Sequence, residues 1–231
     1  MFKDFQIDLK QYGLQLDDYQ NKQFERYYEI LIEGNEKTNL TGIVEKIDVY
    51  TKHFLDSIVI CKYLNKNSSL IDIGTGAGFP AVPIKIVRPD IEICMVDSVL
   101  KKIDFLQTLN QSLQIKSELI HARAEDLAKT RREKYDYCVS RAVANMSTLC
   151  EYCLPFVKIG GYFIAYKSEN IEEELQKSLS AIKILGGKIE KVEEMVLPND
   201  AGKRKLIFIK KVSATPKIFP RGKNKPRIEP L

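Results

Sequence analysis

The sequence predicts an α/β fold, a largely parallel sheet covered by helices on both faces, and three observations carry that expectation. Leu70-Ile71-Asp72-Ile73 is an apolar run of strand length, followed by glycines at alternate positions (74, 76 and 78), then Phe79 and Pro80. Nineteen residues past Gly78, the apolar run from Ile91 to Val96 ends in Asp97. From Leu70 onward, strand-like and helix-like segments alternate, as βα units require.

The glycine turn has a chemical reading. Glycine tolerates φ > 0 and lets a ligand approach where a Cβ would clash. Pro80 suits the first turn of a helix because its missing N–H leaves nothing unsatisfied there. Such a turn sets free N–H groups at the carboxyl edge of the sheet, where open α/β folds bind ligands. A structural turn without a ligand would look the same in isolation. Asp97, however, stands where a nucleotide fold needs a carboxylate for ribose hydroxyls, and the pair points to an adenosine-containing cofactor. A dinucleotide calls for G-x-G-x-x-G, but the position three beyond Gly76 is Phe79. Its bulk opposes the close helix–strand packing that a third glycine permits. S-adenosylmethionine carries no phosphate and accepts an apolar neighbour, so it is the favoured cofactor.

The elements follow in order. Residues 1–64 carry helical periodicity and form an N-terminal helical extension. Asp17 is a candidate N-cap, with Phe24, Tyr27, Tyr28, Leu31 and Ile32 on one apolar face. Gly34-Asn35 stops that helix, residues 38–42 are a polar turn, and a further helix covers 49–64. His53 and Asp56 on it lie one turn apart and read as a solvent-facing, hydrogen-bonded pair. Residues 65–212 form the cofactor-binding domain. After strands at 70–73 and 91–97 come a helix at 100–113, a strand at 117–121 and a strand at 135–140 with Arg141 at its tip. A helix at 145–155, a strand at 161–167 and a charged amphipathic helix at 169–185 precede a terminal antiparallel hairpin, 189–197 and 205–211. That hairpin suits a methyltransferase better than a dehydrogenase.

Composition narrows the class. The 231 residues contain 44% hydrophobic and 29% charged side chains, ordinary for a soluble α/β domain with an added segment. No run approaches the roughly 20 apolar residues of a membrane span. The first residues lack the apolar core of a secretory signal, and a cytoplasmic location is expected. Five cysteines, at 61, 94, 138, 150 and 153, sit in apolar stretches as reduced core thiols do. Cys150-x-x-Cys153 has no second pair, and the chain holds only His53 and His121, so no metal site is expected.

Residues 213–231 form a basic, proline-rich tail. From Lys203 to Leu231 there are ten Lys or Arg against one acid, a net +9; with +5 in total, the preceding residues carry −4. Prolines 216, 220, 226 and 230 should keep the last stretch extended. The simplest reading is a solubilising tail; the functional one is an arm for RNA phosphates using Lys217, Arg221, Lys223, Lys225 and Arg227.

Asn39-Leu40-Thr41, His53-Phe54-Leu55-Asp56-Ser57, Asp72 to Pro80, Val96-Asp97-Ser98, Arg123-Ala124-Glu125 and Ser140-Arg141-Ala142 occur in that order. The set resembles the ribosomal small-subunit RNA methyltransferase family once called glucose-inhibited division protein B, from about residue 10 to the tail. Thr215-Pro216-Lys217 and Pro220-Arg221 resemble the longer form found in Gram-positive bacteria. One departure is Ala77, proline in some relatives, between glycines that are retained.

The resemblance implies a class I S-adenosylmethionine-dependent methyltransferase fold, a Rossmann-like seven-stranded sheet. It implies transfer to N7 of one guanine in 16S ribosomal RNA, so that 16S RNA or the small subunit is the partner of an expected monomer. The candidate cofactor residues are Gly74, Gly76, Gly78, Phe79, Asp97, Ser98, Ala124, Glu125 and Arg141. Arg141 and Arg123 are the candidates at the reacting end.

The residues fit that chemistry independently. Methyl transfer from a sulfonium is an in-line displacement, for which an enzyme mainly supplies proximity and alignment. Amino-group methylation would typically show Asn or Asp, then Pro-Pro and an aromatic residue, at the fourth strand tip; here it is Ser140-Arg141-Ala142. C5 methylation of a pyrimidine needs a thiol on a loop, and no cysteine is so placed. Guanine N7 already has a free lone pair. A methyltransferase for another RNA or a small molecule is the alternative, and the latter leaves the basic tail unexplained. A nicotinamide enzyme would have to tolerate Phe79, and a plain RNA-binding module would not need the glycine turn with Asp97.

Overall fold

A computed structural model describes residues 2–141 and 144–231. Ala142 of the Ser140-Arg141-Ala142 motif lies outside the described residues. Seven strands form one sheet: β1 (Ser69–Ile73), β2 (Glu92–Asp97), β3 (Glu118–His121), β4 (Tyr135–Arg141), β5 (Val157–Ser168), β6 (Gly187–Val196) and β7 (Lys203–Lys211). Their order is β3-β2-β1-β4-β5-β7-β6. All neighbours are parallel except β7, which runs antiparallel to β5 and β6, as the hairpin reading requires. The chain winds outward from β1 to β3 and returns to β4, so strand order reverses between β1 and β4. A crevice opens beyond the carboxyl ends of strands at such a point.

Strand alternation divides the core between the two faces. Leu70, Tyr137 and Val139 pack with Phe24, Tyr27, Phe54, Val82 and Leu106. Ile71, Ile73 and Cys138 pack on the opposite side with Leu149, Cys153, Phe163 and Ile182. The first face is covered by α1 (Phe2–Gln11), α2 (Asp18–Asn35), α5 (Ala81–Val87) and α6 (Leu100–Leu113), the second by α8 (Met146–Cys153) and α9 (Glu172–Ile184). The N-terminal helices thus share a core with the sheet. Among the described residues, no helix is long and apolar enough to cross a membrane.

Local chemistry explains the N-terminal helices. Asp17 caps α2 through the Gln20 N–H while the Gln20 side chain returns to the Asp17 N–H, a reciprocal capping box. The buried face is Gln23, Phe24, Tyr27, Ile30 and Leu31, with Tyr28 and Ile32 half-buried. Gly34-Asn35 closes α2, as its stop signal predicts, and Gly34 has a packing role as well. A Cβ there would stand 2.7 Å from the Phe105 ring, so this glycine serves the close approach of α2 and α6. Asn35 shapes the exit, its Oδ1 accepting from the Leu40 and Thr41 N–H groups.

The predicted helix over 49–64 is not regular. It begins as α3 (Lys46–Asp48), widens into a π-helical stretch at Val49–Leu55, and returns to α4 (Asp56–Ile58) and a 3₁₀ turn at Val59–Tyr63. Such widened turns mostly occur singly and often at functional sites. The tail also differs from the extended arm expected of its prolines. Thr215, Phe219 and Pro226 are buried, and α10 (Lys225–Ile228) packs on α8. Its polar groups find partners on the domain, which holds it folded.

Candidate active site

Register builds the site. Ile73 is level with Val96, so Gly74 and Asp97 leave β1 and β2 side by side. Asp72 is level with Val139, which brings Arg141 to the same sheet edge. Beyond that edge lies a cavity of about 480 Å³. Of the residues singled out from sequence, Gly74, Gly76, Phe79, Asp97, Ser98, Arg123, Ala124, Glu125 and Arg141 all line it.

Gly78 does not line the cavity. It has φ +99°, and a Cβ on it would stand 2.6 Å from Val82 and 3.0 Å from both Leu106 and the Tyr27 hydroxyl. Gly78 is therefore a packing glycine. Gly76, at φ +60°, would meet nothing nearer than the Gly74 carbonyl at 4.0 Å. Tyr27 braces the turn from beneath, donating to the Ala77 carbonyl at 2.6 Å and stacking on Phe79.

Asp97 is buried and holds two loops at once. Its Oδ2 accepts from the Gly76 N–H at 3.0 Å and its Oδ1 from the Val99 N–H at 2.9 Å. Each oxygen retains lone-pair capacity. Lys102 approaches Oδ2 at 3.8 Å. Asp72, wholly buried at the end of β1, was missed by the sequence reading. Burial pushes its carboxyl up to about 7, with Asp97 adding to the shift and Thr75, the Ala81 N–H and Arg141 opposing it. Neither of its oxygens has a hydrogen-bond partner within normal reach among the described residues.

At the other end, Arg141 is the hub. Its Nη1 donates to the Lys52 carbonyl at 3.2 Å and to Asp56 Oδ2 at 3.1 Å, and its Nη2 stands 3.0 Å from His53 Nδ1. The guanidinium lies over the Phe79 ring at 4.9 Å, and the His53 ring stacks on Phe79 at 4.5 Å. Arginine only donates, so Nδ1 accepts and the His53 proton sits on Nε2, facing Thr41 Oγ1 at 2.7 Å. Burial and the Arg141 charge lower the His53 pKa to about 3, with Arg204 adding and the Lys52 backbone opposing. The imidazole is neutral at neutral pH.

The solvent-facing His53–Asp56 pair expected from spacing is therefore corrected. Asp56 is buried, and ion pairs to Arg141 and Arg204, the latter at 3.5 Å, offset the burial that raises its pKa. The two side chains are joined through Arg141, 88 positions from His53 and 85 from Asp56, which local periodicity cannot reveal. Thr41, His53, Tyr152, Asn224 and Arg227 also line the cavity without having been expected there as site residues.

The cysteines are all buried and unpaired. Burial pushes the Cys61 and Cys94 thiols up to about 12 and raises those of Cys150 and Cys153 well above the usual thiol range. Among the described residues, no group of three His, Cys, Asp or Glu side chains could hold a metal ion.

Strand order, the glycine turn and the paired carboxylate define the class: a Rossmann-like, S-adenosylmethionine-dependent methyltransferase. The fold is shared with M. jannaschii TYW2 in complex with AdoMet (TM-score 0.57, 14% identity, 69% of this chain and 76% of that one). It is shared as well with a SAM dependent methyltransferase from Aquifex aeolicus (TM-score 0.56, 15% identity, 73% and 94% covered). Residues 20–207 match the model of the GidB family, rRNA small subunit methyltransferase G, and the chain belongs to that family. It is similar to the ribosomal RNA small subunit methyltransferase G of Staphylococcus carnosus, 46% identical over 229 residues, covering 96% of this chain and 95% of the relative. The protein of the same name from Lactobacillus acidophilus is 44% identical over 236 residues, with 99% and 98% covered.

Proposed function

We propose that this enzyme transfers a methyl group from S-adenosylmethionine to N7 of a guanine in 16S ribosomal RNA. The family supports methylation of small-subunit ribosomal RNA, and the state of His53 carries the choice of atom. Its Nδ1 lone pair faces an Arg141 donor and its Nε2 faces Thr41, so the imidazole has no free basic nitrogen. No cysteine lines the cavity, and burial raises the thiol pKa of Cys61, Cys94, Cys150 and Cys153. A site so furnished suits a nucleophile that brings its own lone pair, as guanine N7 does.

The cavity fits the cofactor, which when bound supplies an electrophilic methyl group on a sulfonium. Asp97 accepts from the ribose hydroxyls with the lone pairs left after Gly76 and Val99. Gly74 and Gly76 allow close approach, while Ser98, Ala124 and Glu125 surround the adenine. Asp72, buried behind the turn and not itself lining the cavity, would when ionised place a negative charge beneath the cofactor's ammonium. Phe79 and Arg141 form the reacting end. Arg123, with a side chain 60% exposed at the rim, orients RNA phosphates. Mass spectrometry of 16S RNA from cells lacking the protein should show loss of one N7-methylguanine. Persistence of every such methyl group would exclude the assignment.

A further inference from the structure

The basic tail reaches the cofactor cavity itself. Asn224 and Arg227, both in the last eight residues, line it beside Glu125 and Tyr152. The Asn224 N–H points at Glu125 Oε1 at 3.4 Å, and the Tyr152 hydroxyl donates to Asn224 Oδ1 at 3.3 Å. We propose that segment 214–231 is the closing wall of the cofactor pocket, and that Asn224 and Arg227 are S-adenosylmethionine-binding residues at its adenine end. This rests on the placing of the cofactor in that cavity.

The wall is fastened by buried polar groups. The Glu151 side chain on α8 is 0% exposed, and Arg221 neutralises it with its backbone N–H, Nε and Nη2 at 2.7 to 3.2 Å. A carboxylate with no access to water needs such a partner, so docking of the tail is coupled to the stability of α8. Thr148 Oγ1 donates to the Pro226 carbonyl at 2.6 Å. Arg132 reaches the carbonyls of Thr215, Pro216 and Phe219, each at 2.8 Å. These contacts fix the approach to α10 from both sides. What they deliver to the cavity is chemically apt. Adenine presents ring-nitrogen acceptors, and the Asn224 amide and Arg227 guanidinium are donors. With Oδ1 of Asn224 accepting from Tyr152, its Nδ2 hydrogens remain for a ligand.

Calorimetric titration of the full chain with S-adenosylmethionine, without RNA, tests the proposal. The Asn224→Ala/Arg227→Ala double variant should still melt cooperatively, a few degrees lower for the positive φ at Asn224, and should bind about tenfold more weakly, as loss of one or two ligand hydrogen bonds implies. Equal affinity would overturn it. Limited trypsin digestion reads the same wall without a substitution. Bound S-adenosylmethionine should slow cleavage after Lys223 and Arg227 several-fold in wild type and not in Gly76→Asp, whose pocket is blocked. Cleavage at one rate with and without cofactor would show a tail that leaves the pocket open. A wild-type chain that bound no S-adenosylmethionine would instead defeat the placing of the cofactor.

Discussion

Arg141 cannot accept a proton, because a guanidinium stays charged at any working pH, and in this site it also removes the other candidate base. With His53 Nδ1 committed to Arg141 and the ring pKa near 3, single-turnover methylation at saturating S-adenosylmethionine, where the titration of Asp72 no longer limits binding, should be flat between pH about 6.5 and 8.5. Arg141→Ala should cost on the order of 100-fold in rate without a new pH dependence. Arg141→Lys should do little better, since one ammonium cannot meet Lys52, His53 and Asp56 in one plane. A rate rising tenfold per pH unit, and lost in His53→Ala, would contradict this reading. Stability follows a different sign. The unfolded His53 takes up a proton below about 6.5 and the folded one only near 3, so stability falls as pH drops through that window. Asp72 behaves in the opposite way. Its folded pKa of about 7 exceeds the ordinary 3.8, so the folded state loses stability as pH rises from 3.8 to 7. Asp72→Asn should raise the melting temperature at pH 8, with the gain fading toward pH 4, while calorimetry shows weaker cofactor binding. A variant that gained stability and kept full affinity would remove Asp72 from the site.

At the scale of elements, the glycine turn separates fold from function. Gly76→Ala fits the available space at a cost of about 1 kcal/mol for its positive φ, and its main effect should be on cofactor affinity. Gly78→Ala meets Val82, Leu106 and Tyr27 in the core and should destabilise by about 2–4 kcal/mol, read as a shift in urea midpoint. Equal midpoints for the two variants would contradict the division. Sequence spacing could not make that distinction, because all three glycines serve the same turn, and it is the packing of α2, α5 and α6 around Gly78 that tells them apart. Strands and helices were legible because their signals are local: the Asp17 N-cap, the 100–113 period and the 70–73 and 91–97 runs appear nearly as read. The π-helical stretch was not. The Tyr50, Phe54 and Ile58 spacing reads as an ordinary helical stripe, whereas the stretch buries Val49, Tyr50, Thr51, Phe54 and Leu55, a wider face than that stripe presents.

For the whole molecule, charge in a sequence says nothing of what each charge meets. The tail's excess of Lys and Arg was plain from composition. That Arg221 answers Glu151 was not, because 70 residues separate them. The RNA role therefore narrows to cations that stay in water. Lys217, Lys223 and Lys225 are exposed, and none of the three lines the cofactor cavity. Deleting 214–231 would confound two effects, whereas the triple change of these lysines to alanine isolates one. Each phosphate neutralised contributes about 0.7 to 0.9 to the slope of log affinity against log salt. The triple variant should therefore lose roughly 2 to 3 from that slope and bind RNA more weakly at low salt, while S-adenosylmethionine affinity stays at the wild-type value. Filter binding across a salt series gives the slope. An unchanged slope would assign the three lysines to solubility and leave the RNA face to Arg123 and the rim of the cavity.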